Sequence, residues 1–189
     1  MDNNRKYVEM EMNLQQPLET ELAQLIPLQQ GDFELLYHVA SNPKVWQQHP
    51  NKDRWKEDIF RTFFEGAIES GGAYRIVDRS TGQTIGSSRF YDYDALDNSI
   101  KIGYTFYNPE YWGRGYNPSV KRKMLEYIFN YVSKVYFHIG AVNIRSQVSI
   151  SRLGAVKVGE KAVEYFGEAP ALNYIYCIEK ADFKAKMQE

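Results

Sequence analysis

Cysteine is nearly absent: the 189 residues contain one, Cys177, which rules out a disulfide framework and a cysteine-based zinc site. Histidine is almost as scarce. Only His38, His49 and His138 occur, widely spaced, so a histidine metal centre has little to build on and no metal is expected. An excess of charge of either sign is missing too, since 23 Lys and Arg face 24 Asp and Glu for a formal net charge of −1. That balance lacks the basic footprint of a nucleic-acid binder, and no nucleic-acid partner is expected. No run approaches the ~20 apolar residues of a membrane-spanning helix, and the polar start carries no secretory signal. The expectation is a cytoplasmic protein without a membrane partner. Repeats and low-complexity segments are also lacking.

What is present is an ordinary globular balance, 43% hydrophobic and 25% charged, in a chain long enough for one domain with a sizeable core. Residues 1–16 are polar and read as a loose arm, leaving 17–189 as the domain. A strand is expected at Glu19–Pro27. Apolar residues at helical spacing predict helices over Asp32–Ser41 and Arg54–Glu69, the latter with Trp55, Ile59, Phe63 and Ala67 on one stripe. Adjacent Phe63 and Phe64 should not both face the core, so one is expected in a groove or a homodimer contact.

The period then changes. Ala73–Asp78, Thr84–Tyr91 and Ser99–Tyr107 are rich in β-branched and aromatic residues and predict an antiparallel meander. The clearest helix is Asn117–Val132, with Val120, Met124, Leu125, Ile128 and Val132 buried and Lys121, Arg122, Lys123 and Glu126 turned towards water or a ligand. Lys134–Ile139 reads as a strand, Ser146–Leu153 as a short helix, and Ala155–Phe166 and Leu172–Ile178 as final strands. This mixed order predicts a single-domain α/β fold, a mostly antiparallel central sheet flanked by helices.

The segment from Tyr104 to Pro118 joins a strand to that helix through Gly113 and Gly115. Asn117 is a good N-cap type and Pro118 suits the first helical position. Free N–H groups and the positive helix end then converge where a phosphate or pyrophosphate fits. The basic run at Lys121–Lys123 opposes the helix dipole by about 0.3–1 kcal/mol per charge, which a bound polyanion would offset. A solvated basic face above a glycine turn is the plainer alternative.

The stretch Asn108-Pro-Glu-Tyr-Trp-Gly-Arg-Gly-Tyr116 resembles the acetyl-CoA-binding loop of the GNAT superfamily of N-acetyltransferases, and most closely its RimJ/RimL-like branch. Against that superfamily's Gln/Arg-x-x-Gly-x-Gly/Ala motif, Trp112 takes the first position, Gly115 matches and Asn117 replaces the last small residue. Asn143-Ile-Arg-Ser146 followed by Arg152-Leu153-Gly154 resembles the branch's second block, Asn-x-x-Ser … Lys-Leu-Gly-Phe. The likeness spans residues 18–180.

It implies the acyl-CoA N-acyltransferase fold and acetyl-CoA as cosubstrate. An amine, either a protein N-terminus or a small molecule, would attack the thioester directly. Cofactor contacts are then expected from Phe106 and Tyr107 on the splayed strand and from Trp112, Gly113, Arg114, Gly115, Tyr116 and Asn117 in the loop. Arg122, Asn143 and Ser146 would add contacts from the helices, with Asn143 on the pantetheine arm. Departures are Asn117, which would cap the helix and meet a phosphate, Ala155 after Leu-Gly, and Ser151 where several relatives place a catalytic tyrosine. Glu164 is the first candidate base, ahead of Asp92, Asp94 and Glu110, with His38 and His49 in the acceptor region. Ser146 would bind the cofactor sulfur or cap its helix. Trp46, Trp55, Phe60, Phe63, Phe64, Tyr91 and Tyr93 make the acceptor side aromatic. The alternative reading, motivated by Asn117 and Ser151, is a non-catalytic acyl-CoA-binding or regulatory module on the same fold.

Overall fold

A computed structural model describes residues 11–164 and 170–187. Its strands are β1 (Leu18–Glu19), β2 (Ala23–Pro27), β3 (Ala73–Asp78), β4 (Thr84–Asp94), β5 (Ser99–Tyr107), β6 (Lys134–Gly140), β7 (Val156–Val163) and β8 (Ala171–Glu179). They form one sheet in the order β1-β2-β3-β4-β5-β6-β8-β7. Every neighbouring pair is antiparallel except β5 with β6. The helices are α1 (Phe33–Ala40), α2 (Glu57–Glu69), α3 (Tyr116–Ile128), α4 (Ile144–Arg152) and α5 (Lys180–Lys186). This is the mixed, mostly antiparallel sheet with flanking helices that the pattern of periods implied.

Alternation along the strands sends side chains to two separate cores. On one face Ile85, Phe90, Ile100 and Ile102 meet Val120, Met124, Leu125 and Ile128 of α3. On the other, Phe106 joins Phe33 and Leu36 of α1, Trp46, and Phe60, Phe63 and Phe64 of α2. Each such side chain contributes about 1.5–3 kcal/mol when fully buried. Both Phe63 and Phe64 are 6% exposed, against the expectation that one would be left outside. Phe64 packs edge-on to Phe33, while Phe63 meets Trp46 and Phe106, so the sandwich of α1, α2 and the sheet covers both sides of α2.

Several boundaries shift for local reasons. The first expected strand breaks at Thr20, whose Oγ1 accepts from Leu22 N and Ala23 N and turns β1 into β2. α2 begins at Glu57, leaving Trp55 outside the helix and 37% exposed. α3 begins at Tyr116, with Gly115 as its N-cap at φ +85°. Asn117 and Pro118 therefore occupy the second and third helical positions, not the cap and the first. Proline still fits there, because the first four N–H groups lack intrahelical partners. α5 has no counterpart among the expected elements, and the part of the last-but-one strand expected beyond Glu164 lies outside the described residues. The end of the polar arm is anchored: Met12 and Leu14 pack on the core, and the Tyr74 hydroxyl lies 2.8 Å from Leu14 O and 2.9 Å from Gln16 O.

Candidate active site

β5 and β6 pair only from Ser99–Lys101 to Lys134–Tyr136. Beyond that β5 stays with β4 to Tyr107 and β6 stays with β8 to Gly140, so the two strands part like a wedge. On β5 the partners jump from Gly103 to Phe106 while β4 moves only from Arg89 to Ser87, which is a bulge at Tyr104 and Thr105. Tyr104 adopts φ +52°, an uncommon value for a side-chain-bearing residue. The wedge holds a cleft of about 710 Å³.

The glycine loop closes one end of the cleft. Asn108 Oδ1 accepts from Glu110 N and starts a single 3₁₀ turn at Pro109–Tyr111. Gly113 and Gly115 both take positive φ, +72° and +85°. The Trp112 indole N–H donates to Tyr107 O at 3.1 Å and pins the loop to the end of β5. Arg145, in the first turn of α4, lays its guanidinium 3.8 Å from the Trp112 ring centroid. Arg122, Arg145 and Arg152 all line the cleft.

Deeper in, polar groups collect. Asn117 Nδ2 donates to Ser149 Oγ at 2.8 Å, tying α3 to α4, while its buried Oδ1 has no partner. The buried Tyr107 hydroxyl has none either, and burial pushes its phenol well above the usual range. Lys121, 3% exposed, donates to Ser88 Oγ at 2.8 Å and to Thr105 Oγ1 at 2.5 Å. Those two hydroxyls are themselves 3.0 Å apart. Burial lowers the Lys121 amine to about 7. Lys121 thus lines the ligand cleft, one of the two expected directions, but it is buried and not solvated. It lies one turn beyond Asn117 on the stripe that continues to Leu125 and Ile128, and 3–4 spacing carries it under the sheet.

The opposite half of the cleft is aromatic and cationic. Arg54, 1% exposed, sits 4.6 Å from the Phe63 ring and 5.5 Å from Trp46, and its guanidinium is 3.1 Å from His49 Nε2. Burial, then the Arg54 charge, push the His49 ring well below its ordinary range, so it stays neutral. Arg89, 4% exposed, stacks 3.8 Å from the Tyr104 centroid and donates to Gly66 O at 2.8 Å. On β6 His138 lines the cleft, and burial followed by the Lys101 charge lowers it to about 4.

Of the residues singled out from sequence, Phe106, Tyr107, Trp112, Gly113, Gly115, Tyr116, Asn117, Arg122, Asn143 and Ser146 line this cleft. Arg114 does not; it is exposed and lies 6.0 Å from the Tyr111 ring. Asn143 is the N-cap of α4, its Oδ1 accepting from Ser146 N at 3.2 Å, so the capping role belongs to Asn143 and not to Ser146. Ser151 is exposed and off the cleft; the buried α4 side chain that lines it is Ile150.

Of the expected bases His49 lines the site, held neutral by burial, and none of the carboxylates reaches it. Glu164 is exposed one residue past β7, Asp92 pairs with Lys101 at 2.8 Å, Asp94 holds a turn at Leu96 and Asp97, and Glu110 is exposed. His38 is exposed on α1. Among the described residues no Asp or Glu lines the cleft. Sequence reasoning missed Arg54, Tyr104, Lys121, His138 and Arg145. For Lys121 the signal was its place on the buried stripe of α3.

The chemistry of this set suits acetyl-CoA. Three arginines and the N-terminus of α3 offer a site for phosphates. The orphaned Asn117 carbonyl and Tyr107 hydroxyl offer an acceptor and a donor to an amide-bearing arm. Among the described residues there is no group of three or more His, Cys, Asp or Glu that could hold a metal, and no helix long and apolar enough to cross a membrane.

A family model described as an acetyltransferase (GNAT) domain matches residues 24–156. Among solved structures, the chain is similar to a GCN5-related N-acetyltransferase from Brucella melitensis, with 16% identity, 92% of this chain and 83% of that one covered, and TM-score 0.78. A putative ribosomal-protein-serine acetyltransferase from Vibrio cholerae matches at 16% identity over 89% of this chain and 99% of that one, TM-score 0.69. A spermidine N-acetyltransferase from Vibrio cholerae, solved with CoA and spermine, matches at 18% identity over 87% of this chain and 99% of that one, TM-score 0.65.

Proposed function

Because the chain belongs to the acetyltransferase (GNAT) domain family, whose members draw the acetyl group from acetyl-CoA, we propose that its acceptor is an amine without further positive charge, such as a peptide α-amine or a small monoamine. One observation carries this reading: among the described residues no carboxylate lines the cleft, while Arg54 sits buried in its acceptor half. A polyamine brings several positive charges, and the described lining of the acceptor half offers them a guanidinium and no carboxylate to meet. The aromatic wall of Trp46, Tyr91, Tyr104 and Phe106 instead suits an apolar or aromatic group beside the reacting amine.

The missing carboxylate bears equally on mechanism. A lysine-like amine with pKa about 10.4 is almost wholly protonated at pH 7 and needs a strong base, whereas an α-amine at about 7.7–8.0 is partly neutral already. Direct attack by an α-amine therefore asks the protein mainly to position two substrates and polarise the thioester carbonyl. The bulge at Tyr104 and Thr105 supports that role, because it frees backbone from the β4–β5 ladder inside the cleft. The similarity to a ribosomal-protein acetyltransferase fits a protein N-terminus as acceptor and the RimJ/RimL-like branch.

The test is thiol release from acetyl-CoA over a panel of peptides with varied N-termini, monoamines, spermidine and spermine. Turnover of peptides or monoamines supports the reading. Preference for the polyamines overturns it, and binding of acetyl-CoA without turnover of any amine favours the non-catalytic alternative.

A further inference from the structure

Lys121 is the buried titratable group in this cleft for which amine selection and positioning leave no role. Its Nζ touches two hydroxyls and no carboxylate, an expensive place for a charge unless that charge is used. It sits on the α3 face of the sheet, beside Thr105 in the bulged part of β5. The other cleft groups suit this step less well. Tyr116 donates to Asp78, Tyr104 packs on the opposite face over Arg89, burial holds His49 and His138 neutral, and burial raises the unpartnered Tyr107 phenol far above a thiol. From α4 the cleft receives no carboxylic acid, its charged side chains there being Arg145 and Arg152.

We infer that Lys121 is a catalytic residue for the sulfur side of the reaction, its ammonium stabilising the departing CoA thiolate and giving it a proton. This rests on acetyl-CoA occupying the cleft, as proposed above. The acceptor nitrogen bonds to the acetyl carbon, the C–S bond breaks with its electron pair going to sulfur, and the sulfur takes a proton from Lys121 Nζ. The acceptor nitrogen releases its extra proton to water, and Lys121 regains one from water once CoA leaves.

The energetics agree in sign. A thiol has a reference pKa of about 8.5, so a proton moves downhill to the thiolate from an ammonium that burial has lowered to about 7. The groups in contact with Lys121 are Ser88 of β4 and Thr105 of β5, with Tyr107, Asn117 and the arginines Arg122, Arg145 and Arg152 lining the same cleft. All are neutral or positive, so a thiolate would be the negative charge that balances Lys121.

The experiment follows the ultraviolet absorption of the thiolate in bound CoA as pH is raised, in the wild type, Lys121→Met and Lys121→Arg. Desulfo-CoA binding by calorimetry is the control. By the pH at which the bound thiol ionises, Lys121 has already lost its proton, so the wild type and Lys121→Met should ionise bound CoA alike, whereas Lys121→Arg, charged throughout, should do so at a proton concentration at least about tenfold higher. Desulfo-CoA should bind the wild type and Lys121→Met alike. Lys121→Arg holds a permanent charge but cannot donate its proton near neutrality, so it should show that shift yet lose on the order of 10²-fold in kcat. Should Lys121→Met not fold, Lys121→Arg decides alone: a wild-type kcat overturns the assignment. Bound CoA that ionises no more readily in Lys121→Arg than in the wild type overturns it as well. If desulfo-CoA fails to bind the wild type, it is the cosubstrate reading that has failed.

Discussion

Asn117 and Ser149 join the two helices of the cofactor cleft: the amide Nδ2 donates to the hydroxyl at 2.8 Å, and this contact turns Oδ1 into a buried acceptor with nothing to accept. The side chain thus holds two walls together and leaves one polar atom for a ligand. Asn117→Ala removes both. We expect it to weaken acetyl-CoA binding about tenfold, the effect of one lost hydrogen bond to a well-placed group. Asn117→Asp keeps an acceptor but places a negative charge at the N-terminus of α3, near the phosphates, and should bind worse than Asn117→Ala. Calorimetry on the two variants checks the order. Equal affinity for wild type and Asn117→Ala would show that the orphaned oxygen serves no ligand.

Gly115 caps α3 at φ +85°, where a β-branched residue is strained by about 1–3 kcal/mol. Its Cβ would meet only Leu22 Cδ1 at 3.6 Å, an ordinary contact, so the damage comes from the backbone and not from crowding. Gly115→Val should therefore lower acetyl-CoA affinity at least about tenfold by turning the loop's N–H groups away. Gly115→Asn, a residue type that tolerates this conformation, should retain most of it.

Arg145 stacks on Trp112 across the cleft mouth at 3.8 Å. Arg145→Ala removes a cation–π contact worth about 0.5–2 kcal/mol together with one of the four arginines that line the cleft. The expected result is a several-fold higher KM for acetyl-CoA with kcat unchanged. A fall in kcat at constant KM would place Arg145 in the chemistry instead.

The fold was legible because it rests on local periods. Ser99–Tyr107 was read to the residue from its β-branched and aromatic run, and the stripe Val120, Met124, Leu125 and Ile128 packs as the 3.6 period requires. The cofactor loop was legible for a similar reason, since glycines at 113 and 115 before a helix constrain backbone geometry directly. The acceptor half was legible only in part: Trp46, His49 and Tyr91 line it as expected, but Arg54 sits in a loop segment before α2, and nothing in its spacing shows that it folds back over Phe63. Carboxylates chosen by nearness in sequence to a strand end proved to be surface groups. Glu164, one residue beyond β7 on a strand whose residues are mostly exposed, is the clearest case. Lys121 was misplaced because charge was weighed above periodicity.

Glu164 gives a further check. It is exposed and does not line the cleft, so Glu164→Gln should leave kcat/KM within about threefold of wild type, far from the 10²–10⁴ that a positioned base contributes. The acidic limb of the pH profile should then follow the acceptor amine and shift when acceptors of different pKa are compared. A hundredfold loss in Glu164→Gln, with acetyl-CoA binding intact, would return the base to this residue and reopen a lysine-like amine as acceptor.

Lys121 also leaves a mark on stability that needs no substrate. Its amine is lowered to about 7 by burial, from an ordinary value near 10.5. Between those two values the unfolded chain holds a proton that the folded chain has released, so unfolding takes one up and the folded state gains as pH rises. Below pH 7 both states are protonated, and the cost of burying the charge is present in full. The gain per pH unit inside the window is at most about 1.4 kcal/mol, since a single site is involved. Lys121→Met has no such site and fills the same space under Ser88 and Thr105 with an apolar chain. The difference in denaturation midpoint between Lys121→Met and wild type should therefore favour the variant most at pH 6–7 and shrink steadily toward pH 10. The measurement is urea unfolding of both proteins at unit steps of pH, free of CoA. A difference that stays constant from pH 6 to pH 10 would mean that Lys121 keeps its ordinary protonation in the folded protein, and the balance between its ammonium and the thiolate would lose its footing.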